Sequence, residues 1–154
     1  MLTVEQRATN NDTWSHIHRV QQLLNNCIRE LIARGELHDQ SKLDTPEVEA
    51  FTDYTPKLAA STYGSDEYNS FRKALGPALE HHYANNRHHP EHHKDGVDDM
   101  NLLDILEMLC DWKAASERHN NGNIRKSIEL NADRFGLSPQ MVRVLENTAD
   151  LLFE

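Results

Sequence analysis

At 154 residues and a formal net charge of −9 with His neutral, the chain is long enough to bury a core of its own as one domain. It is too acidic to grip a nucleic-acid duplex through its phosphates. Its two cysteines, Cys27 and Cys110, exclude a disulfide framework and point to a reducing cytoplasm. The opening MLTVEQRATNND lacks the build of a secretory signal, and no apolar run has membrane-spanning length.

Taken in chain order, the pattern predicts helices throughout. In TWSHIHRVQQLLNNCIRELIARG, apolar residues from Ile17 to Ile32 recur at helical spacing, with Asp12 or Thr13 as N-cap and Gly35 as terminator. LHDQSKL reads as a short second helix. Thr45-Pro46 and Ser138-Pro139 each set a capping residue before a proline at the first helical position. Ser65 caps a helix through SFRKAL, and Gly76-Pro77 breaks or re-aims it before ALEHHY. Asn85 to Asp99 is a polar ordered loop, MNLLDILEMLCDWKAAS an amphipathic helix, and two more helices close the chain. With no alternating strand pattern, repeat or linker, residues 1–154 read as a single all-α domain.

The histidines are concentrated. His81, His82, His88, His89, His92 and His93 fall within EHHYANNRHHPEHH, and His38-Asp39 stands upstream in LHDQSKL. Imidazole and carboxylate are the usual ligands of divalent transition metals. Helical phase sorts them further. His16 shares a face with Val20, Leu23, Cys27 and Leu31, whereas His18 aligns with polar Gln22, Asn25 and Arg29. His82 shares a stripe with Phe71, Leu75 and Leu79, which favours it over His81. In the later helix Leu103, Ile105, Leu106, Leu109 and Cys110 define the apolar arc, with Asp104, Met108 and Asp111 at its edges. Each group has a plainer reading as a core histidine, a solvated loop or a surface carboxylate. Taken together, ligand-type residues from several segments in the order His, His-Asp, His, His, Asp point to a metal site.

That order resembles the HD-domain metallohydrolase superfamily. The pattern is carried by His16 with Val20, by His38-Asp39 with Lys42, and by Asp111 followed by Lys113, over the span His16 to Arg118. His82 and His88-His89 occupy the places of extra ligands in the subgroup that holds two metals. More narrowly, HHYANNRHHPEHH with MNLLDILEMLCDWKAAS is similar to a small family of uncharacterised bacterial and phage proteins. The resemblance implies an HD-type helical bundle in which His16, His38, Asp39, His82, His88, His89 and Asp111 hold one or two divalent ions (Mn, Fe, Co, Ni or Zn), with Asp39 able to bridge. HKDGVDDM lacks the Gly-Tyr-Pro of the cyclic-dinucleotide phosphodiesterases, and the gap from His82 to His88 is short, so that substrate is not expected.

The expected chemistry is hydrolysis of a small phosphoester, a nucleoside monophosphate first, with divalent ions acidifying water and stabilising phosphoryl charge. Asp39, Lys42, Glu91 and Lys113 are the catalytic candidates. The two lysines would neutralise phosphate, unless they are plain surface cations, and Glu91 would act as a base or orient an imidazole. His92 would support a ligand or touch substrate, and His93 would be solvated. Tyr54, Tyr63, Arg72, Tyr83, Asn86 and Arg87 are candidate pocket residues. Two other classes stay open on the sequence: a di-iron oxygenase on the same scaffold, and a non-catalytic metal-binding helical module. The expected partner is a small phosphorylated molecule, with no membrane; a homodimer is compatible with the sequence.

Overall fold

The computed structural model describes residues 1–62, 65–118 and 122–153, with the side chains of Ala59 and Asn69 also left aside. Every regular element among them is helical. The chain divides into two compact units, Met1–Leu37 and His38–Glu154. Among the described residues no helix is long and apolar enough to cross a membrane.

The first unit is one helix, α1 (Val4–Leu37). It begins well before Asp12, because Thr3 and Gln6 form a reciprocal capping box: Gln6 N–H donates to Thr3 Oγ1 at 3.2 Å and Thr3 N–H to Gln6 Oε1 at 2.9 Å. Gly35 does not end it. A single helical glycine costs only about 1 kcal/mol relative to alanine, and the helix runs on to Leu37. No residue of α1 is buried. His16 and the apolar Ile17, Val20 and Leu24 are exposed, because a lone helix has no interior of its own.

The second unit carries α2 (Glu47–Ala60), α3 (Asp66–Ala74), α4 (Gly76–Asn85), α5 (Leu102–Ser116), α6 (Ile124–Phe135) and α7 (Pro139–Phe153). Ser65 caps α3, accepting from Tyr68 N–H at 3.1 Å, and Ser138 accepts from Met141 N–H at 3.2 Å at the start of α7. At α2 the expected cap is displaced. Pro46 sits at the N-cap position, Asp44 C=O accepts from Glu47 and Val48 N–H, and the Thr45 hydroxyl turns to Glu49. Asn101 and Asp104 form a capping box on α5, Asn123 caps α6, and Gly136 ends α6 in the left-handed conformation that only a residue without a Cβ adopts freely.

Ile105, Met108 and Leu109 of α5, Ile124 and Ile128 of α6, and Leu145 and Ala149 of α7 form the core. Met108 is 1 % exposed, so the buried arc of α5 lies one step round from the one expected, and Cys110 faces outward as a free thiol, as does Cys27. Leu145→Ala should lower stability by about 2–5 kcal/mol, since close packing leaves a cavity where the side chain stood. Chemical denaturation reads this directly; a change below about 1 kcal/mol would mean that α7 does not close this core.

The loop between α4 and α5 holds two short 3-10 turns, Pro90–His92 and Gly96–Asp99. Its histidines pin it. His92 Nδ1 donates to Tyr83 C=O at 2.8 Å and His93 Nε2 to Arg87 C=O at 2.9 Å. The expectation that His93 is solvated is corrected: its side chain is 7 % exposed, because that hydrogen bond turns it inward toward Asp104.

Candidate metal centre

LHDQSKL is not a helix through its His-Asp pair. His38 lies in a turn, Asp39 takes φ 57° and ψ 14°, and a 3-10 turn follows at Gln40–Leu43. A left-handed residue other than glycine is uncommon and costs of order 1–3 kcal/mol, least for Asp and Asn. Asp39 is the one such non-glycine residue among those described. The conformation sends its carboxylate toward α4 and α5. Asn86 Nδ2 fastens the turn by donating to Ser41 Oγ and to His82 C=O, both at 2.8 Å.

Two overlapping groups of potential ligands result: Asp39, His82, His88 and His89, and His38, Asp39, His88 and Asp111. Within each group one atom per residue lies within 4.8 Å of the others. Asp39 Oδ1 is 3.3 Å from His82 Nε2 and 3.6 Å from His88 Nε2. His38 Nε2 is 3.5 Å from Asp39 Oδ2 and 3.7 Å from Asp111 Oδ1. His82 Nε2 and His89 Nε2 are 2.9 Å apart. Two atoms each about 2.1 Å from one ion stand roughly 3.0–3.5 Å apart, so the spacing suits a shared transition-metal ion. A second observation agrees. Among the described residues, the buried side-chain atoms with no hydrogen-bond partner are Asp39 Oδ1 and His88 Nε2. Such atoms are costly unless something satisfies them, and their residues, Asp39 and His88, are the two common to both groups. The residues fit a divalent ion.

Two carboxylates that sequence reasoning passed over complete the arrangement. Glu47, in the first turn of α2, is fully buried, with Oε2 2.8 Å from His82 Nδ1 and Oε1 2.7 Å from His81 Nδ1. Glu107 Oε1 is 2.9 Å from His38 Nδ1 and 3.2 Å from His88 Nδ1. Its one legible sign is the four-residue step to Asp111, one turn along the same face of α5.

Electrostatics follow from these contacts. Asp111 and Glu107 raise the His38 pKa to about 10 against the opposing effect of burial. Burial, then the charges of His88 and His82, push His89 down to about 3, and burial with Lys42 lowers His82. Burial raises the Asp39 carboxyl, but Lys42 and the nearby imidazoles outweigh it and hold the group below its ordinary value. Glu107 moves down for the same kind of reason, with His38 and His88 overcoming burial. Neutral imidazole and ionised carboxylate are the forms that bind metal. His38 is the exception, since its proton must leave before Nε2 can bind.

The other candidates fall around this centre. Lys42 Nζ is 2.5 Å from Asp39 Oδ2. Glu91 pairs with Arg134 at 2.5 Å, and Lys113 with Glu117 at 3.0 Å, both outside the two groups. His81 is also outside them, held on Glu47. His16 and His18 lie on α1, in the first unit. Arg87 pairs with buried Asp104 at 3.2 Å, and the Tyr83 ring lies 5.1 Å from that of His89. Tyr63 is outside the described residues.

Residues 5–151 match the Family of unknown function (DUF5662). The chain belongs to that family. No curated protein and no solved structure matches the chain. The DUF5662 match runs from α1 to α7 and includes every residue of the two ligand groups.

Proposed function

We propose that this DUF5662 protein is a metal-dependent phosphohydrolase of the HD type, acting on a small phosphoester and first of all on a nucleoside monophosphate. One observation carries the reading: His38, Asp39, His82, His88, His89 and Asp111 converge, with buried atoms of Asp39 and His88 lacking any other partner. A divalent ion, when bound, supplies a Lewis acid that acidifies water and stabilises charge on phosphoryl oxygens. Asp39 serves both groups. Lys42, drawn to Asp39 Oδ2, is the cation to meet an anionic phosphoryl oxygen. Asp111 adds negative charge that holds the second group together.

Protein loaded with Mn²⁺, Fe²⁺, Co²⁺ or Ni²⁺ should release phosphate from nucleoside monophosphates in a screen of mono-, di-, tri- and cyclic nucleotides and generic phosphoesters. Asp111→Asn keeps the shape and loses the charge, and should cut turnover about 10²-fold or more, the scale of losing one electrostatic group in an active site. The screen is run under air and under argon. No phosphate from any substrate, with oxygen consumed on an organic one, would sink the hydrolase and favour an oxygenase.

A further inference from the structure

We infer that Glu47 and Glu107 are the positioning carboxylates of this centre, and that His81 is the brace that holds Glu47 in place. The inference rests on the metal-centre reading above and deepens it.

An imidazole offers two nitrogens and two tautomers, so a histidine left to itself presents the wrong edge much of the time. A carboxylate on Nδ1 fixes the proton there and aims the Nε2 lone pair at the ion. Three of the clustered histidines have that arrangement. His82 turns Nδ1 to Glu47 at 2.8 Å, and His38 and His88 turn theirs to one oxygen of Glu107 at 2.9 and 3.2 Å. The Nε2 atoms of the same three rings face Asp39 at 3.3, 3.5 and 3.6 Å. Glu107 thus aligns one ligand from the His-Asp turn with one from the α4–α5 loop, across a sequence distance that no local structure spans.

Glu47 has a demanding position, since a carboxylate with no exposed surface needs both oxygens satisfied. Oε2 takes His82 and Oε1 takes His81. Its place in the first turn of α2 also suits a negative charge. Successive helical residues point about 100° apart, yet the rings of His81 and His82 meet one carboxylate from two sides. The dipeptide therefore splits into a ligand, 2 % exposed, and a brace, 41 % exposed.

The test is Co²⁺ titration of the full chain, read by visible absorption, which responds to the geometry at the ion, alongside melting of the metal-free protein. Glu47→Gln and Glu107→Gln keep an acceptor oxygen but lose the charge. Each should weaken Co²⁺ binding about 10–100-fold and alter the spectrum, by more than any fall in metal-free melting accounts for. His81→Ala should move affinity in the same direction by less than Glu47→Gln, and His81→Asn, which can still donate to Glu47, should recover part of the loss. Should a Gln variant fail to fold, Glu47→Asp and Glu107→Asp keep the charge while withdrawing it, and a changed Co²⁺ spectrum is still expected. Unaltered affinity and spectrum in these variants overturns the inference. So does a loss of affinity that only tracks lost stability of the metal-free protein. If the unaltered protein takes up no Co²⁺, the centre itself is wrong, which is a different failure and is read from a different sample.

Discussion

Replacing Asp39 by Asn is expected to strip metal from both ligand groups, because Asp39 is common to them. The loss should exceed the ~10–100-fold that removal of an outer-shell partner costs, taking bound metal from stoichiometric to near none in elemental analysis. Asn tolerates the left-handed backbone at φ 57° almost as well as Asp, so the fold should survive. Asp39→Ala should lose the metal equally and add strain. A full complement of metal in Asp39→Asn would mean that the shared carboxylate is not a ligand at all.

Chelation should lower the melting temperature. The ligands come from the His-Asp turn, α4, the loop after it and α5, so only the folded chain brings them together, and binding adds to stability by linkage. With free metal at 100 times its dissociation constant the gain is about 2.7 kcal/mol, and at roughly 2–4 °C per kcal/mol for a chain of this size the shift is about 5–10 °C. The shift should also depend on pH through His38. In metal-free protein its pKa is raised from 6.5 to about 10. The stabilisation this represents is therefore complete below pH 6.5 and fades as pH climbs toward 10. The loaded protein has no proton at His38 to lose, so the gap between loaded and chelated samples should widen across that window. Melting curves that coincide at every pH, with metal removal verified, would place any bound ion at the periphery.

Much of the fold was legible in the sequence because it rests on local physics. Helical periodicity, Ser65, the break at Gly76-Pro77 and the amphipathic run through Leu102–Ser116 depend on neighbours a few residues apart, and they gave an all-α chain. The ligand types were legible too, since His and Asp declare their chemistry wherever they stand. Local rules failed where competing local signals were close in strength: Thr3 with Gln6 captured the start of α1 ahead of Asp12, and Gly35 was too weak to stop it.

What the sequence determined by itself, then, was the helices and a stock of metal-binding side chains. Only the tertiary structure decided which of them meet. Periodicity fixes the face a residue occupies, not the element packed against that face, so it could put His82 on an apolar stripe but could not find Glu47, 35 positions earlier, bonded to its Nδ1. Nor could it find Glu107 joining His38 to His88, or see that Glu91 and Lys113 are drawn to Arg134 and Glu117. The left-handed turn at Asp39 belongs to the same class: a strained conformation persists because the surroundings over-determine it, and those surroundings are assembled from segments distant in the chain.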